Sequence, residues 1–206
     1  MVRKTKADSA RTRLQIIAAA RKIFSQRGVG RTTLAQIAAA AGVTRGAIYW
    51  HFANKPELFF AMREQVVLPL IDGIDENLPA VELDDPLQGI QSSMTAILNI
   101  LENDEIARTT FEIITFKCEY VDEFLHAHTQ PMKAACNFKQ KLLTAYDHAR
   151  CKGQLQTDAD PALLALDSYA FTKGLINLWL SDPDGTSVRA QAHAMIAAHI
   201  ALRRRR

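Results

Sequence analysis

The chain has 206 residues, of which 48% are hydrophobic, and a formal net charge of +3. That apolar fraction is enough for a substantial core and excludes wholesale disorder. No uncharged apolar run approaches the roughly 18 residues of a membrane span. The basic opening MVRKTKADSARTR also lacks the apolar stretch of a secretory signal. We therefore expect a cytoplasmic protein without a membrane segment.

Charge is divided unequally along the chain. The first 55 residues carry eleven Lys and Arg and one acid, Asp8, so their net charge is +10, whereas the remaining residues sum to −7. A cationic segment on an acidic body favours a polyanion as the partner of that segment. Charge alone does not distinguish nucleic-acid binding from a merely solvated basic surface.

The cysteines and histidines do not form a recognisable metal or disulfide pattern. The odd count and wide spacing of Cys118, Cys136 and Cys151 favour reduced thiols over a disulfide framework or a zinc site. The pairs His126 with His128 and His193 with His199 have poor spacing for chelation on a helix. Motifs of the HExxH, GxSxG, Walker and GxGxxG types are absent. We expect no metal, no cofactor and no enzymatic activity.

The first predicted helix lies within the basic segment. Asp8 or Ser9 can cap its start, and Gly28 suits the position just after its end. Residues at helical spacing form its inner face: Leu14, Ile17, Ala20 and Phe24.

Two short helices follow. Thr32 or Thr33 opens the second, whose inner residues are Leu34, Ile37 and Ala38, and Thr44 caps the third. In the turn between them Gly42 accepts a positive φ without a Cβ clash. Ala38 is small enough for the two helices to touch closely, and Ile48 and Val43 are predicted to fill the seam, which is the contact between the two helices. This spacing predicts a helix-turn-helix whose second helix can enter a DNA major groove.

The remaining chain also has helical spacing, and no alternating strand pattern occurs. Asn54, Pro56 and Glu57 start a fourth helix that is predicted to run toward Asn77. A later long helix from about Asp122 to Lys152 should bend or begin at Pro131. Further boundaries are predicted at Pro79–Asp85, Asp85-Pro86, Asn103-Asp104, Tyr120–Asp122, Gly153, Asp160-Pro161 and Ser181–Ser187. We predict an all-α fold of about nine helices.

The outward residues of the third helix suit DNA. Arg45 can bond guanine O6 and N7, and Gly46 lets the backbone come close to the base edges. Thr44, Tyr49 and His51 can donate to phosphate oxygens, and Lys55 adds charge at the start of the fourth helix. Phe52 is assigned to the core, and Trp50 partly so.

Residues 11–59 resemble the head of the TetR/AcrR family of bacterial repressors. The resemblance rests on RTTLAQIAAAAGVTRGAIYWHF (Arg31 to Phe52) and NKPELF (Asn54 to Phe59), and the opening MVRKTKADSARTR is similar to the subgroup that represses multidrug efflux pumps. It implies a homodimer with an inducer pocket, base contacts from Arg45 and Gly46, and DNA contact by the basic arm before Leu14. It also implies phosphate contacts from Thr33, Thr44, Tyr49, His51 and Lys55.

We accordingly predict a DNA-binding domain at residues 1–55 and a ligand-binding and dimerisation domain at 56–206. Apolar faces on the last two helices are expected to serve the core and a dimer interface. They comprise Leu163, Leu166, Ala170, Leu175, Leu178 and Trp179, and Val188, Ala192, Met195, Ile196, Ile200 and Leu202. Candidates for a pocket that takes a small hydrophobic or amphipathic inducer are Phe111, Ile114, Thr115, Cys118, Phe138, Tyr169 and Lys173.

Three alternatives remain open at the level of sequence. The inducer could be a metabolic or fatty-acyl ligand in place of a pump substrate. A thiol switch through one of the cysteines could replace the ligand. The final arginines, Arg203 to Arg206, could be solvated, could contact DNA or could be a cloning remnant.

Overall fold

The computed structural model describes residues 5–66, 70, 74, 76–78, 84–125, 133–156 and 158–205, with only the backbone for 133–136. The described part forms nine α-helices and contains a single isolated β-bridge, so the all-α prediction is confirmed. Among the described helices none combines the length and the hydropathy that a membrane span requires. Predictions for Met1–Lys4, Pro79–Leu83, His126, His128, Pro131, the Cys136 side chain and Arg206 lie outside the described residues.

The predicted N-caps Thr33, Thr44 and Asn54 are confirmed, whereas Asp8 or Ser9 as the cap of the first helix is wrong. The bounds of the first four helices are α1, Lys6–Arg27; α2, Leu34–Ala40; α3, Arg45–His51; and α4, Lys55–Glu64. The first helix begins slightly earlier than predicted, because Thr5 is its N-cap and Asp8 closes a capping box from the third helical position. It ends where Gly28 adopts a φ of +81° and donates its N–H to the carbonyl of Phe24.

The fourth helix is shorter than predicted. It ends at Glu64, and the N–H of Val66 bonds to the carbonyl of Arg63 at 3.3 Å, which is the tighter spacing typical of a last turn. Asn54 caps its start as expected. The Glu57 carboxylate reaches back to the N–H of Ala53 at 2.6 Å, one residue before the cap.

Four of the remaining five helices begin at predicted breaks, and the residues just before the other one, which starts at Lys133, lie outside the described part. Asp85, Asp104 and Asp160 each accept N–H bonds from the first turn of a helix, and Gly153 has a φ of +66° after the end of another. The elements are α5, Pro86–Asn103; α6, Glu105–Glu112, continued by a π-helical turn, Ile113–Lys117; a 3₁₀ turn, Asp122–Phe124; α7, Lys133–Cys151; α8, Pro161–Leu180; and α9, Val188–Ala201.

Contacts divide the chain into two compact units. The first comprises residues 1–66 together with 109–130, and the second comprises 67–108 together with 131–206. The first unit therefore contains α1 to α4 and also the π-helical and 3₁₀ turns. Arg21, which is buried, joins these parts by donating to Thr110 Oγ1 at 2.9 Å and to Gln65 Oε1 at 2.6 Å.

The end of the chain is held within the second unit. Arg203 donates to the Asp167 carboxylate and to the carbonyl of His199, and Arg204 pairs with Asp85 at 2.7 Å. The backbone N–H of Arg205 bonds to the carbonyl of Gln154 at 2.7 Å. These contacts give the described C-terminal arginines a structural role.

Candidate DNA-binding site

Helices α2 and α3 form the predicted helix-turn-helix. Ile48 is fully buried and Ala38 is 4% exposed, so the two meet in the seam between the helices. The N–H of Val43 bonds to the carbonyl of Ala38 at 3.0 Å, and Gly42 has a φ of +63° in the turn. The backbone therefore needs a residue without a Cβ at Gly42.

The helix-turn-helix packs on a hydrophobic core. Ile17, Phe24 and Phe52 are buried there, and the rings of Phe24 and Phe59 meet edge to face at 6.3 Å. Leu14 was predicted to join this core, but it is 55% exposed. The predicted Ile17, Ala20 and Phe24 are buried, and Ile16 is buried beside them in place of Leu14.

The outward face of α3 presents the polar residues that the sequence singled out. Thr44, Arg45, Gly46 and Tyr49 are all exposed. Thr44 accepts the N–H of Ala47 at 3.2 Å, which leaves its own O–H to donate elsewhere. Arg45 donates to Tyr49 Oη at 3.5 Å, and this bond raises the pKa of Arg45.

Trp50 is outward too, which corrects its partial assignment to the core. It is 73% exposed, and its ring lies edge to face with that of His51 at 4.6 Å. Helical spacing could have revealed this, because Trp50 stands one turn after exposed Gly46, whereas buried Phe52 stands one turn after buried Ile48. The exposed surface of α3 is thus more aromatic than predicted.

Thr33 and Lys55 flank the motif in different ways. Thr33 is exposed and caps α2 in a capping box with Gln36. The Lys55 ammonium bonds to the carbonyl of Gly30 and pairs with Glu123, both at 3.3 Å. Its side chain is only 15% exposed, so Lys55 is much less accessible than exposed Arg45 of α3.

The candidate pocket residues fall in both units. Phe111, Ile114, Thr115 and Cys118 belong to the first, and Phe138, Tyr169 and Lys173 belong to the second. Ile114 and Cys118 pack against the core beneath the helix-turn-helix, Phe138 is buried and Lys173 is exposed. Among the described residues no group of three His, Cys, Asp or Glu could hold a metal ion.

Cys118 is a poorly reactive thiol in this setting. Burial raises its pKa to about 11, although the nearby Lys55 ammonium acts in the opposite direction. The thiolate, which is the nucleophilic form, is therefore scarce at neutral pH. This disfavours Cys118 as the sensing residue of a thiol switch.

Family models match both parts of the chain. Residues 16–62 match the model described as bacterial regulatory proteins, tetR family. Residues 85–204 match the model described as MAATS-type transcriptional repressor, C-terminal region. The first match contains the helix-turn-helix and most of the core beneath it, which agrees with the geometry of α1 to α4.

Individual relatives span nearly the whole chain. The HTH-type transcriptional regulator TtgR of Pseudomonas putida is 39% identical over 191 residues, which cover 91% of this chain and 89% of that protein. The crystal structure of NalD from Pseudomonas aeruginosa has a TM-score of 0.85 at 32% identity, with 97% and 99% of the two chains covered. A SmeT–triclosan complex has a TM-score of 0.79 at 30% identity, with coverages of 94% and 92%. The chain therefore belongs to the TetR family of bacterial transcriptional regulators.

Proposed function

We propose that this chain represses a multidrug efflux operon by binding a pseudo-palindromic operator in the cytoplasm. NalD is described as the secondary repressor of the MexAB-OprM multidrug efflux pump, and SmeT as the repressor of the pump SmeDEF. The observation that carries the proposal is the exposed face of α3, which presents Arg45 and Tyr49. The helix-turn-helix that contains α3 packs on a hydrophobic core. DNA binding is assigned to residues 1–55 and inducer binding and dimerisation to 56–206.

The acting form is proposed to be a homodimer. On α8, Leu163, Leu166 and Leu178 are each more than half exposed, and exposed Ala170 shares their face. The opposite face of the same helix is buried at Leu175 and Trp179, so α8 has one apolar face for the core and another for a second copy. A twofold axis would place two α3 helices in successive major grooves about 34–36 Å apart.

Release from the operator is proposed to follow binding of a small hydrophobic ligand. The SmeT structure with triclosan supports a ligand of this class. Phe138 and Tyr169 of the second unit, which are buried and half-buried, are the proposed contacts. By thermodynamic linkage, a ligand that weakens operator binding by some factor is itself bound more weakly by that factor when the operator is present.

A binding experiment tests this function. The full-length protein is titrated onto the promoter fragment upstream of its own gene and onto a scrambled fragment, in moderate salt and with bulk competitor DNA. We expect the promoter fragment to be bound on the order of a thousandfold more tightly. Addition of triclosan or of a pump substrate should then lower that affinity. Equal binding of the two fragments contradicts the repressor function, and unchanged operator affinity with a ligand bound contradicts induction by that ligand.

A further inference from the structure

The ammonium of Lys55 is held by groups from two other segments of the first unit. Gly30, in the loop between α1 and α2, offers its carbonyl at 3.3 Å, and Glu123, in the 3₁₀ turn, offers a carboxylate oxygen at the same distance. The ring of Phe124 lies beside the ammonium with its centroid 5.4 Å away. A cation at the start of α4 is therefore already engaged by an acid of the same chain.

The position of Glu123 is fixed by anchors on either side of it. The N–H of Val29 bonds to the carbonyl of Lys117 at 2.8 Å, ahead of the turn. Directly after Glu123, Phe124 is 3% exposed and packs edge to face on Phe59 at 5.5 Å. Because both flanks are held by backbone or core contacts, the carboxylate stands beside Lys55 as part of the fold.

The backbone of the turn is also unusual. Asp122 has a φ of +48°, in the left-handed region where residues other than glycine are uncommon. Such a conformation persists when surrounding contacts determine it, and it recurs at sites that bind or switch. The 3₁₀ turn is thus held in a strained form next to the cation.

We propose that Glu123 competes with an operator phosphate for Lys55, so that DNA binding replaces the Lys55–Glu123 ion pair. The inference rests on the proposed function, in which Lys55 meets DNA. Lys55 is only 15% exposed while the pair is closed, so a phosphate gains full access only when the carboxylate leaves. Two anions on one ammonium would also repel each other across a few ångströms. Glu123 therefore lowers operator affinity.

The test uses the full-length protein and the promoter fragment. Operator affinity is measured over a range of salt for the wild type, Glu123→Gln and Glu64→Gln. Glu64 is exposed on α4, so its variant makes the same charge change in the same unit without touching Lys55. A half-exposed ion pair is weak, so we expect Glu123→Gln to bind about two- to fivefold more tightly than Glu64→Gln. Because Lys55 contacts the phosphate in both complexes, the salt slope should stay close to that of Glu64→Gln.

A second pair of variants shows whether the gain passes through Lys55. In a Lys55→Gln background, Glu123→Gln should add nothing beyond the effect of Glu64→Gln in that background. An equal gain with or without Lys55, or a loss of affinity in Glu123→Gln, overturns the proposal. Should Glu123→Gln fail to fold, Glu123→Asp withdraws the carboxylate by one methylene and is expected to change affinity in the same direction. A wild type without promoter preference would instead refute the proposed function.

Discussion

The hydroxyl of Ser168 lies 3.0 Å from Nε2 of His199 and 2.7 Å from the phenol oxygen of Tyr146, so one buried polar chain joins α7, α8 and α9. The ring of His199 stacks on Phe171 at 3.8 Å. Burial lowers the pKa of His199 to about 4, and the Arg203 cation acts in the same direction, while Asp167 opposes it. This histidine is therefore neutral in the folded protein across the physiological range.

The lowered pKa of His199 predicts that the protein becomes less stable as the pH falls. Above about pH 6.5 the imidazole is neutral in both states, and between pH 6.5 and about 4 only the unfolded chain binds the proton. The free energy of unfolding should therefore decrease over that window, by on the order of 3 kcal/mol for this group, and the group causes no further loss below it. Urea unfolding followed by circular dichroism at several pH values measures the slope.

Replacement of the ring isolates its contribution. His199→Gln keeps a nitrogen that can bond Ser168 but cannot titrate, so its unfolding free energy should depend less steeply on pH by up to about 1.4 kcal/mol per pH unit. His193→Gln, an exposed position on the same helix, controls for the removal of a histidine. Identical slopes in the wild type and His199→Gln would show that the buried ring does not cause the acid sensitivity.

Substitution of Gly42 should cost stability through backbone strain alone. Its φ is +63°, and an added Cβ would meet no atom within 4 Å. Gly42→Ala should therefore destabilise the first unit by roughly 1–2 kcal/mol, the cost of a left-handed conformation for a residue with a Cβ. Thermal unfolding checks this. A neutral Gly42→Ala would mean that the turn can adopt another backbone conformation.

Substitution of Gly46 by alanine should raise stability, in contrast to the same substitution at Gly42. Gly46 lies in α3, and an added Cβ would meet only Thr44 Oγ1 at 4.0 Å, so Gly46→Ala should raise helix stability by up to about 1 kcal/mol. Operator affinity should nevertheless fall, because the methyl group would stand between the helix and the base edges. A variant that is more stable and binds at least as tightly as the wild type would remove Gly46 from the DNA-facing surface.

Local signals made much of the fold predictable from sequence. Thr44, Asn54 and Asp160 were identified as caps because one residue type and a fixed spacing decide where a helix begins. The buried seam of Ala38 and Ile48 followed from the size demands of two crossing helices. These features depend on neighbours within a few residues, which a single sequence displays directly.

Other features depend on residues far apart in the chain. The Lys55–Glu123 ion pair arises only when the 3₁₀ turn packs beside α4, and no periodicity in either segment indicates it. The same holds for Cys118, whose packing against the core beneath the helix-turn-helix depends on residues distant in the chain. Trp50 was misjudged for a different reason, since its size favoured burial while its position on α3 did not.

Chemical labelling should distinguish the described cysteines. Cys118 is half-buried with its pKa raised to about 11 by burial, whereas Cys151 is exposed as the last residue of α7. Brief alkylation with iodoacetamide at neutral pH, read by peptide mass spectrometry, should modify Cys151 first and Cys118 mainly after unfolding. Peroxide should accordingly not oxidise Cys118 in the folded protein, and operator affinity should not change by that route. Rapid native labelling of Cys118 would reopen the thiol-switch alternative.

Arg45 is the residue on which sequence preference should depend most. It stands exposed in the first turn of α3 with its guanidinium 5.7 Å from the ring centroid of Tyr49, where it can reach a guanine edge. Arg45→Ala should weaken operator binding by roughly 1–3 kcal/mol, with a much smaller effect on scrambled DNA. Fluorescence anisotropy with the two fragments measures both losses in the same salt.

A control variant, Arg27→Ala, distinguishes base recognition by Arg45 from the general effect of removing a positive charge. Arg27→Ala removes a cation of the same unit from the last turn of α1, outside the recognition helix. It should change binding to the promoter and scrambled fragments by similar factors, since long-range attraction to phosphates carries no sequence information. If Arg45→Ala also lowers both affinities equally, Arg45 acts as a phosphate anchor, and base recognition has to come from other outward residues of α3, of which Trp50 is the most exposed aromatic.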